Sequence, residues 1–74
     1  MLQPENMELE HAKLSARETD VLELVAGGLT NMQVADRLGI GVHGVKFHLA
    51  SIYRKLEVGN RTQAAGVYLR SRGG

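Results

Sequence analysis

The chain has no cysteine, so neither a disulfide nor a thiolate zinc site can add to its stability, and a reducing cytoplasm is the compartment that fits. No apolar run approaches the ~18 residues of a membrane span. The first ten residues, MLQPENMELE, are acidic where a secretory signal is basic and then apolar. Strand-like alternation, internal repeats and low-complexity tracts are also missing. With 74 residues the chain makes one domain, and a domain of that size buries only roughly 60% of its unfolded surface. A substrate-sized pocket does not fit inside such a core. No Ser/His/Asp or paired-carboxylate arrangement is arguable either, the acids being expected on outer helical faces. These absences predict a soluble, cytoplasmic protein that is not an enzyme and carries no cofactor.

What the chain does have is helical punctuation. Residues 1–13 contain the single proline, Pro4, and no clean period, which predicts a flexible tail or linker with a helical turn near Met7 to His11. Ser15-Ala16-Arg17-Glu18 is a capping box that opens a first helix with Val21, Leu22, Leu24 and Val25 inward, and Gly27-Gly28 ends it. Thr30-Asn31-Met32-Gln33 is a second box, opening a short second helix with Val34, Ala35 and Leu38 inward. Gly39 is its left-handed terminator. A third helix is expected from Val42 to Glu57, stopped by Gly59. Asn60-Arg61-Thr62-Gln63 then opens a fourth, running to about Ser71 with Ala64, Ala65, Tyr68 and Leu69 packed, before Arg72-Gly73-Gly74 frays. The fold class is all-α, a four-helix bundle-like domain around a central helix-turn-helix.

The third helix has two faces. Val42, Val45, Leu49, Ile52 and Leu56 recur at steps of three and four and form one apolar stripe at about 100° per residue. Opposite lie His43, Phe47, Ala50 and Arg54, with Lys46 on the flank. A helix meant only for solvent would carry Glu and Lys there, so this face is built to meet something. The charge distribution indicates what. Residues 1–36 hold seven acids against two bases, a net of −5, while residues 37–74 hold seven bases and one acid, a net of +6. A polyanion would meet the second half.

Leu14-Ser15-Ala16-Arg17-Glu18 with Val21-Leu22, then Gly28-Leu29-Thr30-Asn31 with Val34-Ala35 and Leu38, then Val45-Lys46-Phe47-His48-Leu49, Lys55-Leu56 and Asn60-Arg61-Thr62-Gln63-Ala64 together resemble the LuxR-type (GerE/FixJ/NarL-like) DNA-binding domain. The resemblance covers about residues 14 to 70, so the domain is expected over 14–72. It implies a four-helix transcription regulator, either a stand-alone member or the C-terminal part of a larger one. Its third helix would enter the major groove of duplex DNA, and its fourth would mediate dimer contacts on an inverted or direct repeat. Carried over residue by residue, it puts Lys46, Phe47, Ala50 and Arg54 at base edges and Thr30, Asn31, Lys55 and Arg61 at phosphates. On that fourth helix the small residues Ala64 and Gly66, beside Val67, let a partner helix approach closely and are expected at the dimer interface. Phe47 cannot hydrogen-bond to a base, but it can cover a thymine methyl. Thr30 and Asn31 sit where unpaired backbone N–H groups and the positive end of a helix dipole suit a phosphate.

The departures from the family pattern are Gly41 and Gly44, where it usually has Ser or Thr, and Met32, where Lys is frequent. Two hydroxyls are thereby missing, and DNA affinity per monomer is expected to be modest. An alternative of another class stays open, a protein-interaction module that binds another regulator or RNA polymerase without DNA. Gly39-Ile40-Gly41-Val42-His43-Gly44 matches G-x-G-x-x-G, but that motif needs a strand before it, and the preceding residues are helical in pattern. His43 and His48 lie about 140° apart around the helix, at about 100° per residue, and make no metal site. His48 is expected beside the core.

Overall fold

Capping decides where these helices begin. The computed structural model describes residues 12–72, and within them lie four helices and no strand: α1 (Ala16–Ala26), α2 (Asn31–Leu38), α3 (Val42–Leu56) and α4 (Arg61–Ser71). The expected turn near Met7 to His11 and the last two glycines lie outside the described residues. Of the expected tail, Ala12 is partly buried against the core, as is Leu14 just after it. At α1 the Glu18 N–H donates to Ser15 Oγ at 3.1 Å, and the Ser15 N–H donates back to Glu18 Oε1 at 2.8 Å. At α2 Gln33 and Thr30 repeat the exchange at 3.2 and 2.8 Å. At α4 the Gln63 N–H donates to Asn60 Oδ1 at 2.9 Å, but the Gln63 side chain accepts from the Gly59 N–H instead, at 2.6 Å. α3 alone starts without a side-chain cap, at Gly41.

Three helices stop by one device. A left-handed residue follows the helix, and the next N–H returns to a carbonyl five residues back: Leu29 to Leu24 at 3.2 Å, Ile40 to Ala35 at 3.0 Å and Val58 to Tyr53 at 3.0 Å. Each stop turns an apolar residue, Leu29, Ile40 or Val58, onto the core. Gly39, at φ +68°, makes the turn of the helix-turn-helix without the strain a Cβ brings there. At the end of α3 the left-handed residue is Glu57, at φ +57°. The helix therefore stops at Leu56, ahead of the expected stop at Gly59, because the apolar Val58 is what the core takes up.

The core is assembled from Val21, Leu22 and Val25 of α1, Val34 and Ala35 of α2, Val45, Leu49, Ile52 and Leu56 of α3, and Ala64, Val67 and Tyr68 of α4. α1 packs on α3 and α4, while α2 packs mainly on α3. Tyr68 Oη donates to Glu23 Oε2 at 2.9 Å and ties α4 to α1. Burial first, and then that hydrogen bond, holds the phenol above its ordinary range.

Two expectations for α4 are corrected. Ala64 and Val67, placed at a dimer interface, are 0% and 2% exposed and belong to the chain's own core. Leu69, expected inside, is 52% exposed. Val67 and Tyr68 follow Ala64 at three and four residues and share its inward side, whereas Leu69 lies a further ~100° round the helix.

Candidate nucleic-acid interface

With the apolar stripe of α3 turned into the core, its other face is open. Phe47 is 73% exposed, and His43, Lys46, Ala50 and Arg54 are exposed around it. The structure thus brings together all four residues expected at base edges. The Phe47 ring meets the half-buried His48 edge to face, with centroids 6.0 Å apart at 69°. On α2 a second large apolar side chain, Met32, is 74% exposed.

The four residues expected at phosphates divide. Thr30 Oγ1 accepts the cap hydrogen bond of α2, which leaves its hydroxyl hydrogen for another acceptor. Asn31 Oδ1 accepts from Arg61 Nη1 at 2.7 Å, and Arg61 Nη2 donates to the Leu29 carbonyl. Arg61 thereby joins the start of α4 to the start of α2, lining a shallow cleft with Gly28, Leu29, Thr30, Asn31 and Met32. Lys55 is not free. Its ammonium lies 2.7 Å from Glu18 Oε1, and the Glu18 side chain is buried.

Glu18 corrects the expectation that the acids keep to outer faces. It is 6% exposed, and besides Lys55 it accepts from Ser51 Oγ at 2.6 Å. Arg54 Nη2 in turn approaches Ser51 Oγ at 3.4 Å. Burial raises the Glu18 pKa, but the hydrogen bonds from Lys55, Ser51 and the Ser15 N–H, with the Lys55 charge, outweigh it and lower the value to about 2. Sequence reasoning took Glu18 for a cap and passed over Ser51. The available signal was Ser51 beside Ile52 at the edge of the apolar stripe, with Lys55 four residues on along the same side. Such a pair needs an acid from another helix.

Among the described residues no helix is long and apolar enough to cross a membrane, and no group of three His, Cys, Asp or Glu side chains could hold a metal ion.

Comparison with known proteins gives the same outline. Residues 12–68 match the family model described as bacterial regulatory proteins, luxR family. The transcriptional regulatory protein LiaR of Bacillus subtilis is 44% identical over 57 residues, covering 77% of this chain and 27% of LiaR. The nitrate/nitrite response regulator protein NarP of Escherichia coli is 43% identical over 60 residues, 81% of this chain and 28% of NarP. The HTH-type transcriptional activator RamA of Corynebacterium glutamicum is 52% identical over 52 residues, 70% of this chain and 18% of RamA. The chain spans about a quarter or less of the length of these relatives. With the family model matched over nearly the whole described domain, the chain belongs to the luxR family of bacterial regulatory proteins.

Proposed function

We propose that this domain regulates transcription by binding duplex DNA in the major groove through α3, with Lys46, Phe47, Ala50 and Arg54 at the base edges. The observation that carries the reading is Phe47, 73% exposed opposite a helix's own buried stripe and ringed by His43, Lys46 and Arg54. An aromatic ring beside the cations Lys46 and Arg54 suits a surface that is apolar at thymine methyls and anionic at its rim. Thr30, Asn31 and Arg61, grouped at the start of α2, suit a phosphate on one edge of the groove. Lys55 joins them only where DNA breaks its ion pair with Glu18. Two copies are proposed to pair on DNA through the outer side of α4, where Ala65 and Gly66 are half-buried and small and Leu69 is exposed.

The test is a fluorescence-anisotropy titration of the chain with random and family-like duplexes at several salt concentrations. Counterion release at Lys46, Arg54 and Arg61 gives a slope of log K against log salt near −3 per monomer, at roughly −0.9 per contact. Binding that is absent, or indifferent to salt, would turn the Phe47 face over to a protein partner such as another regulator or RNA polymerase.

A further inference from the structure

α1 and α2 open with the same capping box, yet the two boxes differ in one respect. In α2 the reciprocal acceptor is Gln33, exposed, at 2.8 Å from the Thr30 N–H. In α1 it is Glu18, buried, at 2.8 Å from the Ser15 N–H. A neutral amide therefore suffices for the cap, and a buried charge is expensive unless it is paired. The charge of Glu18 answers to α3. One carboxylate oxygen takes the Lys55 ammonium at 2.7 Å, and the other takes the Ser51 hydroxyl at 2.6 Å. With its hydrogen committed to Glu18, Ser51 Oγ presents only lone pairs to its surroundings, and Arg54 Nη2 lies 3.4 Å from it. Glu18 and Ser51 are the buried polar side chains among the described residues, and both bear on the same turn of α3.

We propose that Glu18 is a positioning residue of the DNA face: through Ser51 it sets the guanidinium of Arg54, and by pairing with Lys55 it withdraws that ammonium from the phosphates. The proposal rests on the DNA-binding reading above. It assigns Arg54 a fixed approach to the groove and makes Lys55 part of the scaffold behind it.

The experiment is a double-mutant cycle in anisotropy, using the whole chain and a labelled duplex that the wild-type chain selects from a randomised 30-bp pool. Arg54→Ala is expected to weaken wild-type binding about tenfold, as loss of a good groove contact does. In the Ser51→Ala background it weakens binding about threefold or less. Lys46→Ala, on the same face but off this relay, has equal effects in both backgrounds. Lys55→Met leaves the salt slope at its wild-type value, whereas loss of a phosphate ligand would reduce it by about 0.9. Glu18→Gln, which frees Lys55, steepens the slope by about that amount. Ser51→Ala removes a single hydroxyl and keeps the test open if Glu18→Gln unfolds, with far-UV circular dichroism reporting the fold of each variant. Salt-sensitive wild-type binding with additive Arg54 and Ser51 effects, or a slope lowered by Lys55→Met, overturns this proposal alone. A chain that selects no duplex overturns the DNA reading and this proposal with it.

Discussion

The two ends of α3 are held by different means. At its start, Gly41 caps without a side chain and Gly44 stands in the first turn, and a Cβ added at Gly41 meets nothing within 4 Å. At Gly44 it meets only the Ile40 side chain, 3.8 Å away. In the second half, Leu49, Ile52 and Leu56 are buried, and Ser51 and Lys55 are tied to Glu18 of α1. The helix is therefore tied from behind by polar contacts as well as burial, while its leading turn is held by the buried Val45 and the partly buried Val42 and has no side-chain cap. Stability within one element follows contacts and capping rather than helical propensity alone.

The largest effect that separates these regions is expected from Ile52→Ala, which deletes a fully buried side chain and costs about 2 to 5 kcal/mol. Phe47→Ala, five residues earlier on the open face, costs less than about 1 kcal/mol. Urea denaturation measures both. A loss of several kcal/mol at Phe47 would contradict the division of faces.

Acid tests the rear anchor next. The Glu18 carboxyl titrates near 4.5 unfolded and about 2 folded, so above pH 4.5 it is ionised in both states and its contribution is complete. Between those values the unfolded chain takes up the proton first. Roughly 3 kcal/mol is then lost as pH falls through that window, and none of it remains once pH is about a unit below the folded value. The urea midpoint followed from pH 6 to 2 records the loss, and Glu18→Gln should flatten that part of the profile.

Smaller gains are expected at the leading end. Gly44→Ala fits the open space beside Ile40 and raises stability by about 0.5 to 1 kcal/mol. Gly41→Ser supplies the missing cap for a few tenths of a kcal/mol. Thermal melts of the two variants and of their combination check both values. A loss in either would mean that the glycines meet a constraint other than helix propensity.

Much of this architecture was legible without coordinates. The starts of α1, α2 and α4 follow from Ser15, Thr30 and Asn60, and the inward residues of α1, α2 and α3 follow from their spacing. The open face of α3 was legible for the same reason, since a buried stripe defines its own opposite. The fourth helix was harder. Ala64, Gly66 and Val67 are small enough to suit either a core or a partner helix, and composition alone does not choose between them.

A capping box joins residues three apart and an apolar stripe joins residues three and four apart, so the sequence by itself determines where such helices begin and which sides they bury. The partners of Glu18 lie 33 and 37 residues away, and the Asn31 partner of Arg61 lies 30 away. No local period encodes those pairings. Only the packing of α1 against α3, and of α4 against both, decided that Glu18 would be buried, that Lys55 would answer it, and that Val67 rather than Leu69 would enter the core. A buried charge is stable only beside whatever the fold brings within hydrogen-bonding distance.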